Sequence, residues 1–163
     1  MTIDQIKKDC VNRINECFAI AEHFFGRKFE SPTIEFNLKG QTAGQAWLQS
    51  NHIRLNLKLA MNNFAEYILK TPGHEAAHLI VYQLNAPTIV APHGREWKHV
   101  MKNVLKQDAS RCHEYVVITD YKYSCGCETP NYISKRRHTS IIQGHKRYKC
   151  LKCMQNLKQV IQF

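Results

Sequence analysis

No window of this 163-residue chain approaches eighteen apolar residues, and no apolar run follows the opening Met1-Thr2-Ile3-Asp4-Gln5. The first absence argues against a membrane-spanning helix and the second against a secretory signal peptide, so the expected compartment is the cytoplasm, with no membrane partner. Acidic residues are scarce: 13 Asp and Glu stand against 23 Lys and Arg, a net charge of +10. The imbalance is local. Residues 1 to 119 hold 14 basic and 11 acidic side chains, whereas residues 120 to 163 hold 9 and 2. A positive surface concentrated in a quarter of the chain favours polyanions through counterion release, with nucleic acid the commonest candidate. Seven cysteines are an odd number. Without an export signal they read as reduced thiols and metal ligands, not as a disulfide framework.

What is present is periodic. Residues 2 to 25 space Ile3, Ile6, Cys10, Ile14, Cys17, Phe18 and Ala21 at threes and fours, which predicts an amphipathic helix ended by Gly26. Cys10 and Cys17 fall on its buried stripe as core thiols. From Ser31 to Leu59 the period becomes two, and turns at Lys39-Gly40-Gln41 and Ser50-Asn51 suggest a three-stranded antiparallel meander. A helix is expected over 60 to 69, a second over 72 to 84, and a third from Gly94 to about Lys106 with Trp97 in the core. Tyr115 to Ile118 reads as a short strand, with His113 just before it as a histidine that could return near a site. The predicted class is α+β, helices on a small antiparallel sheet, with a domain boundary after residue 119.

Within the second of those helices stands His74-Glu75-Ala76-Ala77-His78, the pattern H-E-x-x-H. Residues four apart share a helix face, so His74 and His78 can both offer a ring nitrogen to one zinc ion, and Glu75 lies beside the metal as a general base for water. Thr71 and Pro72 suit the cap and first position of a helix beginning there. A catalytic zinc needs a third protein ligand and an open position. His93 is the favoured candidate, because Ala86-Pro87 and Ala91-Pro92 turn the chain back; Glu96 and His99 are the competitors. The longer pattern H-E-x-x-H-x-x-G-x-x-H is excluded, since Val81 and Leu84 occupy its glycine and third-histidine positions.

The tail carries Cys125-Gly126-Cys127 and Cys150-Leu151-Lys152-Cys153. Two such pairs can close a tetrahedral four-thiolate site, a zinc ribbon, whose metal would be structural because no position stays open. A tail this short cannot build a sufficient core, so metal would supply its folding energy. Met154 stands where such knuckles often carry glycine, and His138 or His145 is the alternative fourth ligand. Between the pairs, Lys135, Arg136, Arg137, Lys146, Arg147, Tyr148 and Lys149, with Tyr123 and Tyr132, suit a groove that tracks phosphates while aromatics stack on unpaired bases. Thr139 to Ile142 reads as a strand. No base-reading helix is expected, hence single-stranded or unpaired DNA without strong sequence preference.

The segment from His74 to Met101, with the paired-cysteine tail, resembles the SprT family of zinc metalloproteases. That family's H-E-x-x-H and downstream H-G-x-x-W-K fall on His74, Glu75, His78 and on His93, Gly94, Trp97, Lys98. The resemblance implies a zincin-like protease domain over 1–119 and a zinc ribbon over 120–163. It also implies His74, His78 and His93 as ligands of a catalytic zinc, Glu75 as base, and Cys125, Cys127, Cys150 and Cys153 as ligands of a structural one. A eukaryotic branch, Spartan, cleaves proteins crosslinked to DNA, so DNA-associated proteins are the expected substrates. Two other functions fit the residues less fully: a non-catalytic zinc-ribbon adaptor for nucleic acid, and a zinc hydrolase acting on nucleic acid itself.

Overall fold

Helix α1 spans Ile3–Phe25, opened by Thr2, whose hydroxyl accepts the Gln5 N–H at 3.2 Å, and closed by Gly26 in the left-handed region at φ 63°. The computed structural model describes residues 2–111, 115, 119 and 121–160. Contacts divide the chain into two compact units, Met1–Val116 and Val117–Phe163.

In the first unit α1 buries Ile6, Cys10, Ile14, Cys17, Phe18 and Ala21, chiefly against α3, Phe64–Asn85. Burial pushes the Cys10 and Cys17 thiols up to about 12 and about 11, so both remain protonated core groups. Strands β1 (Thr33–Glu35), β2 (Gly44–Trp47) and β3 (His52–Leu55) form one sheet. Its order is β1-β3-β2, with β1 parallel and β2 antiparallel to β3. The expected antiparallel meander is therefore corrected to a mixed sheet. The crossing loop from β1 is tied down by Asn56, whose side-chain amide donates to the carbonyls of Gly40 and Thr42 while its Oδ1 accepts the Leu59 N–H and caps α2, Leu57–Asn62. Centring β3 leaves β2 at an edge.

Helix α3 departs most from the sequence reading. The two expected helices over 60–69 and 72–84 give way to α2 and one 22-residue helix with Pro72 inside it, so neither Thr71 nor Pro72 starts a helix. An interior proline removes the N–H that would bond the carbonyl four residues earlier, here that of Ile68. Tertiary packing compensates nearby. Gln107 Nε2 donates to the Leu69 carbonyl at 2.9 Å, and Gly73 makes room for that side chain, since a Cβ there would collide with Gln107 Oε1. The Thr71 hydroxyl pairs with the Tyr115 hydroxyl at 2.9 Å. Because α3 is buried on several faces, with Tyr67, Ala76, Leu79 and Ile80 inaccessible, it is the central element of this unit. Helix α4 (Arg95–His99) runs directly into a π-helical turn, Val100–Val104. Of the expected strand at 115–118, residues 116–118 lie outside the described residues, as does His113.

In the second unit β4 (Lys122–Ser124) pairs antiparallel with β5 (Asn131–Tyr132) and with β6 (Lys158–Gln159). The strand read over Thr139 to Ile142 is instead the end of helix α5, Lys135–Ile142, capped by Ser134, whose hydroxyl accepts the Arg137 N–H at 3.4 Å. Tyr123, expected as a stacking platform for bases, is fully buried and is core to this unit.

Candidate metal centre and its cleft

Because His74 and His78 are one turn apart on α3, their rings project to the same side, 5.0 Å between centroids. His93 reaches them from the loop before α4, in a left-handed backbone at φ 69° that a non-glycine residue holds at a cost of about 1–2 kcal/mol. The turn is fixed by the Gly94 N–H donating to the Ala91 carbonyl at 2.9 Å. The result is a convergence of three ring nitrogens: His93 Nε2 lies 3.0 Å from His74 Nε2 and 3.2 Å from His78 Nε2.

These distances test what the site can hold. A neutral imidazole carries one N–H, so His93 Nε2 cannot donate to both neighbours. Nitrogens bound to one tetrahedral zinc at about 2.0–2.1 Å stand about 3.3 Å apart, close to the spacing seen, so the donor set fits a zinc ion. Desolvation, with the other two rings adding, pushes His78 down to about 3, and desolvation followed by the charge of Arg111 lowers His93. Both are therefore neutral, as ligands must be. The competitors are elsewhere: Glu96 faces Arg95, and His99 contacts Phe24 and Asn103.

Trp97 is the residue that sequence reasoning undervalued. It is buried, as expected, but its indole lies against all three imidazoles, at 4.7 Å from His74, 5.6 Å from His78 and 4.7 Å from His93. Its Nε1 donates to the His74 carbonyl at 3.5 Å. The W of H-G-x-x-W-K, one turn into the helix after the third histidine, was the available signal.

Glu75 is 7% exposed, and burial pushes its carboxyl up to about 8 against the lowering effect of a hydrogen bond from the Ala46 N–H of β2. Gly44 lets β2 come this close. A Cβ at Gly44 would stand 2.6 Å from Glu75 Oε1 and 2.8 Å from Thr71 Cγ2. The edge strand, Glu75 and the three histidines thus line one cleft of about 460 Å³, with Lys70, Arg111 and Tyr115 on its walls.

In the second unit Cys125, Cys127, Cys150 and Cys153 come together, all ligand atoms within 4.8 Å of one another. Backbone N–H groups of Cys153 and Lys152 aimed at its sulfur lower the Cys150 thiol, which favours the thiolate a metal requires. Four sulfurs around one point fit a tetrahedral zinc. Met154 takes the left-handed conformation, φ 59°, that a glycine would adopt more freely. His138 is engaged elsewhere, its Nδ1 3.0 Å from the Tyr123 hydroxyl and its ring stacked 4.1 Å from Tyr121, while His145 is exposed. Among the sequence-read DNA contacts, Lys135, Arg136 and Arg137 lie on α5, and Lys146, Arg147, Tyr148 and Lys149 follow it, with the Arg137 guanidinium 5.5 Å from the Tyr148 ring centroid.

An α+β chain with a three-histidine cluster beside a buried glutamate, and a separate four-thiol cluster, has the equipment of a zinc-binding, protease-like protein. A sequence profile described as the SprT-like family matches residues 14–120. The chain is 40% identical over 152 residues to Protein SprT of Pasteurella multocida (strain Pm70), covering 91% of this chain and 90% of that one. It is 41% identical over 151 residues to Protein SprT of Pseudomonas aeruginosa (strain UCBPP-PA14), covering 89% and 90%. This chain belongs to the SprT-like family. No solved structure matches it, and no helix among the described residues is long and apolar enough to cross a membrane.

Proposed function

We propose that this chain is a zinc endopeptidase acting on DNA-associated proteins, with a zincin-like catalytic domain over residues 1–119 and a basic zinc ribbon over 120–163. The convergence of His74, His78 and His93 beside Glu75 is the observation that carries the reading. His74, His78 and His93 would hold a zinc ion, which would supply a Lewis acid for the scissile carbonyl and for water at neutral pH. Burial alone disfavours the carboxylate of Glu75, and the positive charge of a zinc ion at the neighbouring histidines would restore it, so that Glu75 takes the proton from the attacking water and passes it to the leaving amine. The Ala46 N–H holds that carboxylate in place, and Trp97 fixes the three rings. The outer side of β2 gives an extended polypeptide an edge to pair with.

Cys125, Cys127, Cys150 and Cys153 would hold a second, structural zinc, as a closed four-thiolate set leaves no position for chemistry. Lys135, Arg136, Arg137, Lys146, Arg147, Tyr148 and Lys149 would follow the phosphates of unpaired DNA without reading its sequence. The test is cleavage of a DNA-binding protein by the zinc-loaded chain, with and without single-stranded DNA. Cutting that rises with DNA and vanishes in Glu75→Gln is expected. The adaptor reading, which rests on the basic tail, takes its place if both forms bind zinc and DNA and neither cuts.

A further inference from the structure

Beside the metal cleft the first unit holds a second cavity, of about 550 Å³, whose walls include Trp47, Leu48, Val81, Tyr82 and Val90. It shares Leu48, His78 and Pro92 with the cleft. The two differ in charge. Lys70, Glu75, Asp108 and Arg111 line the metal cleft, whereas no Asp, Glu, Lys or Arg is among the described residues lining the second cavity. Three large apolar side chains at it are open to solvent: Trp47 at 48%, Leu48 at 38% and Ile89 at 95%. Such a concentration of exposed apolar surface marks a binding position.

We propose that this cavity receives an apolar side chain of the polypeptide substrate, from a residue flanking the scissile bond, and that Val81, Tyr82 and Val90 select it. The inference rests on the peptidase reading and adds a sequence preference to it. Strand β2 supplies the register. Ala46 bonds Glu75 through its N–H, and the next residues, Trp47 and Leu48, already line the cavity. An extended chain advances about 3.3 Å per residue, so a chain laid along β2 with its reacting carbonyl at Glu75 brings a side chain one or two residues away over the cavity. A charged side chain would lose its hydration there without gaining a partner ion, whereas an apolar one is removed from water.

The test maps every cut made in unfolded casein by the zinc-loaded full chain and follows it with matched peptides varied at the flanking positions. Leu, Met, Phe or Val at one fixed position should be favoured about 10- to 200-fold over Asp, in the range a buried apolar contact gives an enzyme. Val90→Arg, on the half-buried loop, should reverse that preference while cutting continues. Both tryptophans of the chain line the cavity, so their emission reports occupancy without turnover. In the Glu75→Gln chain, N-acetyl-leucine amide should change it saturably, N-acetyl-aspartate amide should not, and Val90→Arg should abolish the response. Cutting with no preference at any flanking position, or a cut pattern that Val90→Arg leaves unchanged, overturns this inference and leaves the peptidase reading standing. No cutting of any substrate overturns both, and a saturable leucine response would then assign the cavity to an apolar ligand of another kind.

Discussion

Around the three histidines the chain buries Trp97, Tyr67, Leu79, Ile80 and Met101, whereas around the four cysteines the described residues bury Tyr123, Ile133 and Cys150. The first cluster sits on a scaffold that hydrophobic burial can hold without a metal. The second lies among two- and three-residue strands and one eight-residue helix with no buried side chain. There, a zinc ion held by the four thiols would make metal binding and folding one process. The same element would serve chemistry in one unit and architecture in the other, and the surroundings, more than the ligand types, decide which.

Chelation should separate the two most sharply. Stripping zinc is expected to unfold residues 121–160, since a structural site contributes on the order of 10 kcal/mol to folding, while α1 and α3 keep their helical signal. Hydrogen exchange read unit by unit checks it; equal loss of protection in both units would break the comparison. Next in size is Glu75→Gln. It should lower peptide cleavage by about 10²- to 10⁴-fold, the usual range for a positioned acid–base group, and leave zinc content and both folds unchanged. Gly44→Ala probes how the scaffold serves the site. The added Cβ would press on Glu75 Oε1 and Thr71, so a stability loss of about 1–3 kcal/mol is expected from overpacking, with a fall in kcat at unchanged zinc content. A chemical denaturation curve beside steady-state kinetics measures both. Smallest is Tyr115→Phe, which removes the hydroxyl paired with Thr71 and should cost about 1 kcal/mol in the same denaturation assay, with zinc content unchanged.

Much of the site was legible because metal chemistry is local. His74 and His78 are fixed by helix spacing, and the two thiol pairs by short turns, so stretches of three to five residues say what three dimensions then arrange. Helix α1 was legible because its apolar stripe recurs at threes and fours and Gly26 ends it, although its Thr2 cap carried no part of that reading. What could not be read depended on partners distant in sequence. Pro72 reads as a helix start because its own neighbours permit that, and only Gln107, 38 residues from Leu69, shows how the helix passes through it. The β1-β3-β2 order turns on Asn56 pinning the crossing loop, which period-two alternation does not encode. Thr139 to Ile142 is β-branched enough to read as a strand, and the Ser134 cap that starts α5 was the local signal passed over. The role of Gly44 was invisible for the simplest reason: it acts through Glu75 and Thr71, which reach it only in the fold.

Zinc content per chain, measured by atomic spectroscopy on the purified protein and two variants, tests the central claim most directly. Two ions are expected in the parent. His93→Ala should retain the cysteine-bound ion alone, with a folded tail and no cleavage, and the pair Cys150→Ser with Cys153→Ser should retain the histidine-bound ion alone. A His93→Ala chain that still held two ions and still cut its substrate would contradict the assignment of the three histidines as the catalytic metal site.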